Sequence, residues 1–367
     1  MVSALKQASF FETLSSGAVR CGVCTRECTI APNQVGFCRS RKNIDGTLYA
    51  LNYGYAATES IDPVEKHLYH FLPGTAAYSL GTFGSNFKND GFLPHRSAAP
   101  DESVYAAMFS NFGLSRFGEI VTPEEVVQRA LIFDSKSVCF SYNEPAVWYE
   151  FVYDTFVLAK QNGLFTVFAT NGFLTPEALR RLAPFTDAVR IELTGFSEDY
   201  YQNELSAELG AVLNFIQNAA EFGTHVELSF RFLSKHSDFE AETRNAVHHF
   251  SEILKKVREN GKEIPIHLKE VQPLHLSEKN VSVPGLKAAK SVFKNEGFHY
   301  VYLENPAEFS DTCCPNCNSL LISRLYSFGE AAELKIQKNS EGTDFFCAGC
   351  GLKIPLFYSL EFPIFEE

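Results

Sequence analysis

Nine of the ten cysteines in this chain lie in two tight groups near its ends, and the long middle holds only Cys139. The first group is Cys21, Cys24, Cys28 and Cys38; the second is Cys313, Cys314, Cys317, Cys347 and Cys350. CxxC spacing lets two thiolates converge on one soft metal ion, so in a reducing compartment this clustering predicts metal-organised ends before disulfides. The cysteine-poor middle must then fold by burying apolar surface. With 367 residues and 45% hydrophobic content, the chain has enough for a large core plus small satellite modules.

The same reading bounds location and partners. Met1 to Phe10 lacks the apolar stretch of a secretory signal, and no apolar run approaches the length of a membrane span. The expectation is a cytoplasmic protein with no membrane contact. A net charge of −12, with no cluster of Lys and Arg, argues against nucleic acid as a partner.

Periodicity divides the chain in three. From about Gly17 to Gly74 it is turn-rich and cysteine-bearing, as expected of a small lobe organised around a metal. The central region carries short apolar runs at Tyr78 to Phe83, Ser137 to Ser141, Phe165 to Ala169, Ala188 to Leu193, His225 to Phe230 and Pro265 to Val271. Between them lie amphipathic stretches: Thr122 to Phe133, Ala146 to Asn162, Ala207 to Phe222, Ala241 to Glu259 and Leu286 to Glu296. Thr122-Pro123-Glu124-Glu125 and Thr175-Pro176-Glu177 each set a hydroxyl N-cap, then proline, then acid at the positive helix end. Repeated strand then helix predicts parallel strands with right-handed crossovers, hence an α/β fold with a partial or full parallel β/α, TIM-like barrel. The expected domains are a cysteine-rich lobe at 1–76, the barrel at 77–311, and a four-cysteine, zinc-ribbon-like module at 312–367.

The cysteine groups predict different chemistry. Cys314-Pro315-Asn316-Cys317-Asn318 and Cys347-Ala348-Gly349-Cys350-Gly351 form two knuckles, each followed by a residue that tolerates left-handed backbone. Four thiolates there predict a structural zinc with no open coordination position. Cys313 is then spare. The first group, with two, three and nine residues between successive cysteines, suits zinc first and could also hold a [4Fe-4S] cluster or no metal. Cys139 falls in an apolar run and reads as core filler, and His248-His249 as solvated helix surface.

Residues just past the carboxyl ends of barrel strands form the working face of such folds. Ser141-Tyr142-Asn143-Glu144-Pro145, Thr170-Asn171-Gly172 and Glu192-Leu193-Thr194-Gly195 supply polar groups at those positions. Such residues also serve simply to cap the next helix.

Tyr142-Asn143-Glu144-Pro145, Thr170-Asn171-Gly172, Ile264-Pro265-Ile266-His267 and Tyr300-Val301-Tyr302, in this order between the cysteine groups, resemble the radical S-adenosylmethionine (SAM) superfamily. The branch it most resembles is that of the AmmeMemoRadiSam system, relatives of pyruvate formate-lyase activating enzymes. Ile61-Asp62-Pro63-Val64-Glu65-Lys66-His67-Leu68-Tyr69-His70-Phe71-Leu72-Pro73-Gly74 is similar to that branch's DPIEKKPLYHFLPG signature, and the likeness runs from Cys21 to Gly351. The resemblance implies a radical SAM barrel in which three cysteines, spaced CxxxCxxC, hold a [4Fe-4S] cluster. SAM binds the remaining iron and is cleaved to a 5′-deoxyadenosyl radical. The resemblance further implies Tyr142, Asn143, Glu144, Asn171 and Glu192 as cofactor-binding residues, and AMMECR-type and Memo-type proteins as partners.

This chain departs from that pattern where the chemistry is concentrated. The aligned loop reads Gly84-Ser85-Asn86-Phe87-Lys88-Asn89-Asp90-Gly91-Phe92, so Ser85, Asn89 and Phe92 occupy the three ligand positions. Serine and asparagine are hard, weak ligands for an iron-sulfide core, and phenylalanine has no donor atom. The family's DLKG motif appears as Glu192-Leu193-Thr194-Gly195, which keeps a carboxylate but loses the lysine at Thr194. The expectation is a degenerate, cluster-less relative acting as a metal-binding partner or regulatory protein. The alternative is an active radical SAM enzyme using a cluster held by Cys21, Cys24 and Cys28. His67, His70 and His267 are expected near the mouth, as ligand contacts or as packing, and His95 is a candidate replacement for a lost ligand.

Overall fold

The computed structural model describes residues 5–88, 118–195, 197–233, 243, 244, 247, 250, 263–271, 283–304, 311–324, 329–339 and 342–357. Eight strands form the central sheet: β1 (Thr58–Pro63), β2 (Ala76–Gly81), β3 (Ser137–Phe140), β4 (Phe165–Thr170), β5 (Ala188–Thr194), β6 (His225–Leu233), β7 (Ile266–Val271) and β8 (Val301–Leu303). From β2 to β8 each strand pairs in parallel with the next, and β1 lies antiparallel on β2 at the edge. Among the described residues no pairing joins β1 to β8, so the result is an α/β fold with an open, mostly parallel sheet, consistent with a partial barrel.

The predicted runs are strands, with informative shifts. The run expected at Tyr78 to Phe83 ends instead at Gly81, where the loop after β3 crosses so closely that a Cβ would lie 2.8 Å from the Ser141 carbonyl oxygen. β1 has no apolar run to betray it: as an edge strand it reads Thr-Glu-Ser-Ile-Asp-Pro and is largely half-exposed. It also begins the sheet within residues 1–76, ahead of the expected boundary.

The helices are α1 (Pro123–Ile132), α2 (Tyr149–Gln161), α3 (Pro176–Leu182), α4 (Glu198–Asn203), α5 (Leu209–Glu221) and α6 (Val283–Asn295). The stretch expected at Ala241 to Glu259 lies mostly outside the described residues. Both predicted caps form. Thr122 accepts from the Glu125 N–H at 3.2 Å while its own N–H donates to Glu125 Oε2 at 2.8 Å, and Thr175 accepts from Ala178. No helix among the described residues is long and apolar enough to cross a membrane.

Alternation along each strand separates two faces. Leu80, Phe140, Phe168, Ile191, Leu228 and Leu268 join the main core beneath the helices. The other face is more polar, burying Ser79, Arg190, Glu227, Ser229 and His267. There the segment between β1 and β2 packs Leu68, Phe71 and Leu72 against Ala77, Cys139, Val167 and Ala188.

Two small antiparallel sheets follow: Thr312–Cys313, Leu320–Ser323 and Glu330–Ala331, then Leu334–Asn339, Gly342–Cys347 and Lys353–Ile354. They dock on the same segment. The Phe357 N–H donates to His70 O at 2.8 Å, the Leu72 N–H to Phe357 O at 2.7 Å, and Arg324 Nη2 to Tyr69 O at 2.7 Å. The residues most distinctive in sequence, Tyr69 to Leu72, thus join the sheet to the C-terminal module.

Candidate functional site

The carboxyl ends of the parallel strands surround a cavity of about 300 Å³. Tyr142, Asn143, Glu144, Asn171 and Glu192 all line it, as does Ser85. Strand-end reading did not single out four cations in the same wall: Lys66, Lys88, Arg231 and Lys269. Arg231 pairs in register with Thr194 and Lys269 with Arg231, so positive charge absent at Thr194 stands on the next two strands. Counting by twos along β6 and β7 toward their carboxyl ends would have found both.

The five sequence candidates differ in what they can offer a ligand. Glu144 is buried, and its carboxylate accepts from Thr170 Oγ1 and from the Asn171 and Ala146 N–H groups, each at 2.8 Å. Burial pushes its carboxyl up to about 7 against those donors. Asn143 braces the loop after β2, accepting from the Thr82 N–H at 3.0 Å and donating to Gly84 O at 3.2 Å. Tyr142, at φ 69°, donates its hydroxyl to Asp62 and accepts from Lys66 Nζ at 2.9 Å. Glu192 is half-buried, with Arg190 Nε at 3.2 Å and Arg231 Nη1 at 3.3 Å. Burial works against its charge, but Arg231 and Arg190 hold its carboxyl below the usual range. Ser141 Oγ, also in the wall, is buried without a hydrogen-bond partner.

The loop expected to carry the cluster does not fit one. Ser85 Oγ accepts from the Phe87 N–H at 3.1 Å, closing a local turn. Asn89 and Phe92 lie outside the described residues, as do His95, His248 and His249. A hydroxyl, a carboxamide and a phenyl ring cannot replace three thiolates around iron and sulfide. Asn86 instead fastens the loop: its Nδ2 donates to Phe173 O at 3.1 Å, its Oδ1 accepts from Asn171 Nδ2 at 2.8 Å, and its O accepts from Arg26 Nη2 at 2.7 Å.

Both cysteine groups converge, on different scales. The sulfurs of Cys314, Cys317, Cys347 and Cys350 all lie within 4.8 Å of one another, a set able to hold a metal ion. Cys314 and Cys350 are 3.5 Å apart, Cys317 and Cys347 3.4 Å, and Cys313 stands outside the set. At the N-terminal end, Cys21, Cys24, Cys28 and Cys38 line one small cavity beside the mouth. Burial pushes the Cys21 thiol up to about 11 and Cys24 higher still. The lobe carrying them rests on the loops after β3 and β4: Ser40 Oγ donates to Val147 O at 3.1 Å and Thr175 Oγ1 to Gly22 O at 2.7 Å.

The histidines separate. His67 lines the mouth, within 3.3 Å of Ser79 Oγ, whereas His70 and His267 do not line it. His70 Nδ1 pairs with Pro355 O at 2.8 Å and its Nε2 with the Tyr302 hydroxyl, while His267 Nε2 meets Glu227 at 2.6 Å. Both are packing groups of the interior. Burial lowers His70 to about 3, so it stays neutral. Cys139 is fully buried in β3.

A family model described as the Radical SAM superfamily matches residues 105–248, a span that begins after the loop at 84–92. Over 362 residues the chain is 33% identical to uncharacterized protein MJ0808 of Methanocaldococcus jannaschii, covering 96% of this chain and 99% of that protein. Among solved structures, Streptococcus suis SuiB bound to S-adenosylmethionine is similar at 10% identity and a TM-score of 0.37, over 52% of this chain and 42% of that one. A domain of pyruvate-formate lyase-activating enzyme from Bacteroides vulgatus is similar at 15% identity and a TM-score of 0.37, over 46% of this chain and 99% of that one. Residues 105–248 thus form a Radical SAM superfamily domain, carried in a chain whose full-length relative is itself uncharacterized.

Proposed function

We propose that the mouth of the sheet binds an adenosyl ligand of the SAM type without cleaving it, and that the chain works as a metal-stabilised binding or regulatory protein. One observation carries this reading. The cavity keeps Tyr142, Asn143, Glu144, Asn171 and Glu192 in its wall, while the loop beside it presents Ser85 where a cluster thiolate would stand. In the family, a three-thiolate cluster with an open iron supplies the electron that breaks the sulfonium bond; this loop offers no such tripod.

The remaining groups suit recognition. Glu192, kept ionised by Arg190 and Arg231, can accept from ribose hydroxyls or an ammonium. Arg231 and Lys269 face the cavity with charge for a carboxylate, and Ser141 Oγ has hydrogen-bonding capacity unused by the protein. Glu144 braces the Asn171 loop from beneath. At the C-terminal quartet, sulfur pairs at 3.4 and 3.5 Å support zinc, because a tetrahedral site with Zn–S of about 2.3 Å sets its sulfurs roughly 3.8 Å apart. AMMECR-type and Memo-type proteins are the partners this reading would regulate.

Calorimetric titration with SAM and with S-adenosylhomocysteine tests the proposal. Expected are saturable binding, a tenfold or greater weakening in Glu192→Ala, and no 5′-deoxyadenosine after anaerobic reconstitution and reduction with dithionite. Release of 5′-deoxyadenosine would overturn it in favour of an active enzyme with a cluster at the N-terminal cysteines. Absence of any SAM-type binding would overturn it outright.

A further inference from the structure

We infer that Cys21, Cys24, Cys28 and Cys38 hold a [4Fe-4S] cluster with all four irons ligated by protein, at the rim of the mouth. The amino-acid pattern by itself favours zinc; the difference comes from the spacing of the sulfurs. The four side chains line a single small cavity. Yet no three of their sulfurs lie within 4.8 Å of one another, a condition that the C-terminal quartet alone meets among the described residues. A lone zinc draws all its thiolates to within about 4 Å of each other. A cubane gives each thiolate its own iron, so its cysteine sulfurs stand apart around the inorganic core. One chain therefore carries both spacings, a contracted set and an expanded set.

The walls support the assignment. Cys21, Cys24 and Cys38 are buried, and the cavity is otherwise lined largely by apolar side chains that keep water out. Backbone amides of Val23, Arg26 and Phe37 favour the thiolate forms of Cys21, Cys24 and Cys28 against burial. Amide donors of this kind stabilise the negative charge of cluster thiolates and tune their potential. Arg26 supplies positive charge in the same wall, while Arg41 there is paired with Glu150 at 2.8 Å.

Position gives the site its sense. Asn86 lines the cysteine cavity, and its neighbours Ser85 and Phe87 line the mouth. Arg26 reaches from the cysteine knuckle to Asn86 O, and Asn86 Oδ1 accepts from Asn171 in the mouth wall. A single residue layer thus separates the two cavities. With four protein thiolates such a cluster would leave no iron open to SAM, and these cysteines would hold it as a one-electron centre.

The test is iron, sulfide and zinc content of the anaerobically reconstituted full-length protein, with EPR after dithionite reduction. Expected are about four irons and four sulfides per chain and a low-temperature signal of the reduced cluster, both retained in Cys314→Ala/Cys317→Ala. Both should vanish in Cys21→Ala/Cys24→Ala, whose folding is verified by retained zinc at the C-terminal quartet. Two zinc ions per chain with no iron would overturn the assignment, as would a cluster that survives in Cys21→Ala/Cys24→Ala. These readouts do not depend on SAM binding, so the inference and the proposed function fail separately.

Discussion

Replacing Glu227 with alanine removes the acceptor that holds the segment between β1 and β2 in place. Its carboxylate is fully buried on β6 and accepts from the Tyr69 N–H at 2.9 Å, the His70 N–H at 2.8 Å, His225 Nε2 at 2.9 Å and His267 Nε2 at 2.6 Å. In Glu227→Ala the two backbone donors stay buried with nothing to accept them, at about 1–3 kcal/mol each. The vacated volume adds to this, for an expected loss of about 3–6 kcal/mol, against a whole-domain stability of about 5–15 kcal/mol. Urea unfolding reports it through Trp148, the single tryptophan, buried in the main core. The carboxyl also carries a pH signature. Burial opposes its charge, but His225 and His267 hold it well below its usual 4.5. An acid depressed in this way stabilises the fold above the unfolded value and loses that contribution as pH falls below it toward the folded value. Glu227→Gln, which cannot titrate, should therefore flatten the loss of stability that the parent shows below about pH 4.5. An alanine variant within about 1 kcal/mol of the parent, or parallel acid profiles for parent and Glu227→Gln, would refute the reasoning.

Three further outcomes follow from particular contacts. Thr122→Ala removes the capping box of α1 and should cost about 0.5–2 kcal/mol in urea, with faster amide exchange confined to the first turn. Gly84→Ala places a Cβ 2.7 Å from the Cys38 carbonyl oxygen at φ +98°, so it should lower stability by about 1–3 kcal/mol and weaken ligand binding at the mouth. Cys347→Ser should release the C-terminal metal, measured by a chromogenic chelator, and raise amide exchange across 312–357; an unchanged metal content would remove that quartet as the site.

Much of the sheet was legible because its strands are short apolar runs separated by capped helices, a pattern set by local propensity and period. β1 escaped because an edge strand covered on one side needs no continuous apolar run. The mouth was legible at Tyr142 to Glu144 and Asn171, which follow strand ends, and at Glu192 near the carboxyl end of β5. Arg231 and Lys269 were not, since a lone cation within an apolar strand looks like a solvated edge until the neighbouring strand brings Thr194 beside it. His70 and His267 were placed near the mouth by their motifs, but the chain folds that segment into the interior, where Glu227 and Tyr302 absorb their polar groups.

Sequence alone determined the alternating α/β plan, the two cysteine groups and the absence of thiolates at Ser85, Asn89 and Phe92, because each depends on residue identity and spacing along the chain. Only the tertiary structure decided that the sulfurs of the C-terminal four come within 4.8 Å of one another and that no three of the N-terminal four do. That difference is a three-dimensional quantity, which no spacing of cysteines along the chain encodes.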